Sequence, residues 1–203
     1  MSAVFAFPRR ALLRAFTAAP IAALLAACGQ DAPAFKGSDI TGTHLGKGLS
    51  MVDQDGRPRS LADYAGNVLV VFFGFTQCPD VCPTALAELA QVMQVLGPDD
   101  AKRVRVIMVT VDPERDTPEV MKQYVQTFNP SFVGLTGTPE QVKQAASSFK
   151  VYYAKVPAKN GTDYTMDHSA AYYLLDAKGE ARVLAGNGTD VDSLVHDIKL
   201  LLA

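Results

Sequence analysis

The chain has 203 residues, 48% of them hydrophobic, and a formal net charge of -2. That composition suits one globular domain once any processed segment is removed, and it argues against a disordered chain. With no basic excess there is no electrostatic footprint for nucleic acid.

The first residues read as an address rather than as fold. Arg9, Arg10 and Arg14 precede an apolar run over residues 15–27 that only Thr17 and Pro20 interrupt, which is a signal-peptide pattern. Spanning a bilayer takes about 20 apolar residues, so this run predicts export and not a permanent span. It ends in Leu25-Ala26-Ala27-Cys28-Gly29, which resembles the lipobox of bacterial lipoproteins. That resemblance implies cleavage after residue 27 and a lipidated Cys28. The alternative is an ordinary small-residue cleavage that leaves Cys28 a spare thiol. Arg9-Arg10 is also compatible with twin-arginine export. Residues 1–27 are thus expected to be a lipoprotein-type signal, 28–48 a tether, and 49–203 the folded domain.

Within that domain a turn signal at Asp53-Gln54-Asp55-Gly56 separates two short extended segments, predicting a hairpin at the entrance. Ser60-Leu61-Ala62-Asp63 predicts a capped helical turn. Residues 68–73 form an unbroken apolar run, rich in β-branched and aromatic side chains, as in a strand buried on both faces. Cys78 and Cys82 follow it. From Pro83 the positions Leu86, Leu89, Met93 and Leu96 keep helical spacing until Gly97-Pro98 stops the pattern. Residues 104–111 read as a second buried strand. Thr117-Pro118-Glu119 opens a helix to about residue 128, residues 132–135 a short strand, and the capping box Thr138-Pro139-Glu140-Gln141 a helix to about residue 149.

A strand over 151–155 and a polar loop over 157–163 come next. Residues 170–175 and 181–184 flank Asp176-Ala177-Lys178-Gly179, a hairpin signal. Asp190 caps a last helix striped by Val191, Leu194, Val195, Ile198 and Leu201. The economical assembly is an α/β, thioredoxin-like fold: a central mixed sheet flanked by helices, with an N-terminal hairpin and a mid-chain insertion.

Three cysteines are present. If Cys28 carries lipid, Cys78 and Cys82 remain as one pair in an oxidising compartment, in a domain large enough to fold without a staple. A bridge across so short a loop constrains the unfolded chain little, so chemistry explains the pair better than stability does. Pro83 suits the first helical position. This would put Cys82 at the helix cap, where unpaired amides favour a thiolate, the form that binds metals and attacks disulfides. Four residues of strand span roughly 13 Å, whereas one helical turn brings such a pair to about 6 Å, within disulfide range. Both a disulfide and a soft-metal site therefore stay open.

Two thiolates do not complete a zinc site, but copper(I) accepts few, soft donors, and two cysteines with one imidazole suffice. Of the three histidines, His44 falls in the expected tether and His196 on the wet face of the last helix. His168 stands beside a polar loop at the start of the strand over 170–175, where it is equally a metal ligand or a surface histidine. Asp167 could orient its ring or simply form a turn. Asp80 reads as loop solvation or a helix cap, and Asp112, Arg115 and Asp116 as groups that fix their own loop.

Three segments carry a closer resemblance. Phe73-Gly74-Phe75-Thr76-Gln77-Cys78-Pro79-Asp80-Val81-Cys82-Pro83, Val111-Asp112-Pro113-Glu114-Arg115-Asp116-Thr117-Pro118 and Asp167-His168-Ser169 are similar, in order and spacing, to the signatures of the Sco/SenC family. The resemblance implies a thioredoxin-fold, membrane-tethered copper chaperone that helps assemble the dinuclear copper site of cytochrome c oxidase subunit II. It implies Cys78, Cys82 and His168 as ligands for copper, Cu(I) or Cu(II), and a Cys78–Cys82 disulfide when the site is empty and oxidised. Many relatives use a transmembrane anchor where this chain has a lipobox. The implied place is the bacterial cell envelope, on the periplasmic, outer face of the cytoplasmic membrane, held by lipid. The competing expectation is a thiol-disulfide oxidoreductase that reduces the target's copper-binding cysteines. A peroxidase of the peroxiredoxin type is a poorer match, because Thr76 stands two residues too close to Cys78. A copper or redox sensor is the reading from the binding-module class.

Overall fold

The computed structural model describes residues 34–158 and 163–203. The expected signal segment and Cys28 lie outside the described residues, as does most of the polar loop before residue 163. Residues 35–203 form one compact unit. Among the described residues no helix is long and apolar enough to cross a membrane.

Eight strands make one sheet. In chain order they are β1 (Ser38–Asp39), β2 (Ser50–Asp53), β3 (Pro58–Ser60), β4 (Val68–Gly74), β5 (Val104–Thr110), β6 (Val133–Thr136), β9 (Ala171–Leu175) and β10 (Ala181–Gly186), and the spatial order is β1-β10-β9-β4-β5-β6-β2-β3. The centre, β4, β5 and β6, is parallel; β9 runs antiparallel beside β4, and β10 antiparallel beside β9. The entrance hairpin β2–β3 closes the other edge against β6. Two further strands, β7 (Tyr153–Pro157) and β8 (Tyr164–His168), pair only with each other. The helices are α1 (Val81–Ala101), α2 (Pro118–Phe128), α3 (Pro139–Phe149) and α4 (Val191–Leu202), with a 3-10 turn at Leu61–Tyr64.

Every residue of β4 is buried, as its unbroken apolar run requires of a central strand. Alternation along it sorts the two cores. Phe72 meets Tyr172, whose hydroxyl donates to Glu88 of α1, so this face belongs to α1. Phe73 meets Phe149 of α3 and Tyr173 on the opposite face, with ring centroids 5.4 and 6.4 Å away. Helices therefore cover both sides. Thr117, Thr138 and Asp190 each cap their helix by accepting a backbone N–H, and Pro118 and Pro139 stand at first helical positions.

Three expectations need correction. Residues 36–48 are no free tether: the buried Asp197 carboxylate accepts the backbone N–H groups of Lys36 and Gly37, β1 pairs with β10, and Gly46 packs under the Phe149 ring. No apolar period announces so short a docking segment. The Gly97-Pro98 stop, by contrast, stands: Gly97 leaves helical geometry with φ 78° and ψ 170°, and a separate short helical stretch follows to Ala101. The helix that carries Cys82 begins at Val81, two residues before Pro83. Finally, residues 164–168, where no strand was expected, form β8, and His168 ends it just ahead of β9.

The ring cluster of Phe73, Phe149 and Tyr173 joins the mid-chain insertion to the central strand. Phe149→Ala is expected to lower unfolding free energy by about 3–5 kcal/mol. A urea titration measures it, and a loss below about 1 kcal/mol would remove this cluster from the core.

Candidate metal centre

Between β4 and α1 the chain makes the loop that carries both cysteines. Its entry is fixed by the buried Asp116, whose carboxylate accepts the backbone N–H of Thr76 at 3.1 Å and the Thr76 hydroxyl at 2.6 Å. The same carboxylate accepts the Thr110 hydroxyl from the end of β5. Burial raises the Asp116 pKa above the usual carboxylate range, against the lowering effect of these three donors. Asp112 is equally buried, paired with Arg115 and accepting the Tyr164 hydroxyl at 2.8 Å. These groups were expected to fix their own loop. In the structure they tie it to the cysteine loop and to β8, contacts distant in sequence that no local pattern announces.

Cys82 is the second residue of α1, not its cap, and it is fully buried. Asp80 occupies the cap position without making a side-chain cap bond. Burial, with Cys78 and Asp116 nearby, pushes the Cys82 thiol well above the ordinary range. The helix start does not hold Cys82 as a thiolate, because the cost of desolvating the anion exceeds what a helix end supplies. Instead the Cys82 N–H points at Cys78 Sγ, 3.4 Å away. Cys78 is only partly buried, and both thiols are unbonded in this structure.

His168 arrives from the other side. Its Nε2 stands 3.9 Å from Cys82 Sγ, while Nδ1 lies 3.0 Å from the Ser169 carbonyl. A carbonyl only accepts, so Nδ1 carries the proton and the Nε2 lone pair faces the sulfur. Asp167 is exposed and does not orient the ring; the backbone of Ser169 and the edge of Phe75, with centroids 5.9 Å apart, do so. Phe75, Cys78, Pro79, Met166, His168 and Ala170 are among the residues lining a cavity of about 180 Å³ at this point. His44 and His196 lie elsewhere, half exposed beside Glu180 and Asp197 respectively.

The donor set can be tested against a metal by size. First-row ions bind sulfur at about 2.3 Å and imidazole nitrogen at about 2.0 Å, so donors sharing one ion stand no more than roughly 4.3 Å apart. The 3.9 Å between Cys82 Sγ and His168 Nε2 fits. Among the described residues no three His, Cys, Asp or Glu side chains already converge as a finished cage. Sulfur and imidazole with no carboxylate is a set that suits a soft ion.

Gly74 is a residue that the sequence reading did not single out. A Cβ there would stand 2.8 Å from Cys82 Sγ and 3.0 Å from the Phe72 ring. The sulfur occupies the space that any larger residue would fill. A glycine ending an apolar strand just ahead of two cysteines was the available signal.

Comparison with known proteins identifies relatives of this chain. The SCO1/SenC family model matches residues 38–203. Protein SCO2 homolog, mitochondrial, from Mus musculus is 40% identical over 161 residues, 78% of this chain and 63% of that protein. The chain therefore spans somewhat less than two thirds of that relative's length. Bradyrhizobium japonicum ScoI, solved with copper bound, superposes with a TM-score of 0.69 at 38% identity, covering 81% of this chain and 98% of that one. BsSco, described as a member of the Sco family of cytochrome c oxidase assembly proteins with a disulfide switch, gives 0.61 at 25% identity over 81% of this chain and 95% of that one. By the match across its folded part, the chain belongs to the SCO1/SenC family.

Proposed function

We propose that this protein is an envelope copper carrier that holds copper through Cys78, Cys82 and His168 and passes it to the dinuclear copper site of cytochrome c oxidase subunit II. The observation that carries the reading is the Nε2 lone pair of His168 aimed at Cys82 Sγ from 3.9 Å, with Nδ1 already engaged. Copper-bound ScoI and the oxidase-assembly role described for BsSco's family support the cargo and the destination. Cys28 would carry the lipid that keeps the domain at the outer face of the cytoplasmic membrane.

The chemistry follows from the residues. Loading requires both thiols to give up protons, and burial makes that costlier at Cys82, where the cation takes the proton's place. Cys78 and His168 line the cavity and are the donors an acceptor can displace. A second reading, thiol-disulfide exchange with the target's cysteines, is favoured by the approach of the Cys78 sulfur to the Cys82 backbone at 3.4 Å. Both readings use the pair, and the oxidised form is a Cys78–Cys82 disulfide.

X-ray absorption on the reduced, copper-loaded domain should count two sulfurs and one nitrogen. His168→Ala should lose the nitrogen and weaken copper binding by more than about tenfold, since losing even an outer-shell partner of a metal ligand costs about 10–100-fold. Sulfur-only coordination in the unaltered protein sinks the ligand set. If His168→Ala supports oxidase assembly in cells while Cys78→Ser does not, thiol exchange is the function instead.

Gly74→Ala tests the packing beneath the site. The added methyl must displace the Cys82 sulfur or the Phe72 ring, so copper binding should fall at least about tenfold at a stability loss of about 1–3 kcal/mol. Unchanged affinity in an equilibrium competition assay would mean that the sulfur position is not set by this contact.

A further inference from the structure

The hairpin of β7 and β8 ends in His168, yet neither strand pairs with the main sheet. Something else must register it against the cysteine loop. Two side chains of the segment between β5 and α2 reach it. Glu114 meets Lys155 of β7, but those side chains are 58% and 45% exposed, and water screens so open a pair. Arg115 is different, with 16% side-chain exposure and a fully buried partner in Asp112.

The Arg115 guanidinium touches both ligand-bearing segments. Nε donates to Asp112, and Nη1 lies 2.9 Å from Gln77 Oε1 and 3.0 Å from the Tyr164 carbonyl. Its plane covers the Tyr164 ring, 3.8 Å from the centroid, while the Tyr164 hydroxyl donates to the second oxygen of Asp112. Gln77 immediately precedes Cys78, and Tyr164 opens the strand that His168 ends. One planar fork thus bonds to the cysteine loop with one edge and receives the hairpin on its face and edge together.

We propose that Arg115 is the positioning residue of the metal centre, clamping Gln77 and Tyr164 so that His168 is delivered to Cys82. The proposal rests on reading His168 as a ligand. Lysine cannot replace it, because an ammonium neither forks to three acceptors in a plane nor stacks on a ring. Once the clamp is lost, the hairpin keeps its own ladder but not its place.

The test is made first on the metal-free domain. The His168 ring meets Phe75 edge to face, so its proton resonances carry the ring current of Phe75. Arg115→Gln should move those resonances toward free-histidine positions and speed amide exchange at residues 164–168 at least about tenfold, with β4 and β5 amides unchanged. Arg115→Lys should behave alike, and copper affinity should fall at least about tenfold in both. Unchanged His168 resonances, equal acceleration in β4 and β5, full rescue by Arg115→Lys or unaltered copper affinity would each overturn the clamp. Failure of the ligand reading shows separately, as absence of nitrogen from the copper shell of the unaltered protein.

Discussion

The site hangs on one buried carboxylate. Asp116 is fully buried, accepts the backbone and hydroxyl of Thr76 and the hydroxyl of Thr110, and offers its own carbonyl to Thr136. It therefore joins the ends of three parallel strands at the point where β4 gives way to the cysteine loop. A carboxylate taken out of water is costly unless its oxygens are matched by donors. Here three donors come from two strand ends, so the geometry of the loop and the satisfaction of the acid are one condition. Moving Thr76 would leave the acid short of partners, and losing the acid would leave a backbone amide and two hydroxyls stranded.

Above this fixed point the centre is assembled from unequal parts. Cys82 belongs to the interior, held by α1 and by the missing side chain of Gly74. His168 belongs to a separate two-stranded sheet whose contacts with the body are side-chain contacts, Met166 below and Tyr164 above Arg115 among them. One half is thus set by the core and the other by a few side chains, and the two meet at Cys82 Sγ and His168 Nε2.

How much of this was legible follows from the range of each interaction. Helix starts written in local residues, Thr117-Pro118, Thr138-Pro139 and Asp190, stand where the sequence places them. So does the buried run of β4, and so do the two hairpins with strong turns. The candidate ligands were visible as residue types, and the fold brings His168 Nε2 to 3.9 Å from Cys82 Sγ. Hidden from the sequence were the long-range couplings. Asp197 docking residues 36 and 37 and Arg115 bridging Gln77 and Tyr164 each depend on partners far apart in the chain. The cysteine environment was misjudged for a related reason. A helix start is a local feature that favours thiolates, whereas the burial of Cys82 is set by the whole core and prevails.

That burial has a directional consequence. Cys82 is sealed beneath Gly74 and the first turn of α1, while Cys78 shares the cavity wall with His168. An approaching thiolate can reach only one sulfur, so any mixed disulfide begins at Cys78 and is resolved from within by Cys82. For an ion held as proposed by Cys78, Cys82 and His168, the outer donors would be surrendered first and the bond to the sealed sulfur last. The two ends of the Cys78–Cys82 pair are thus chemically alike but sequentially distinct, an entrance and a final hold.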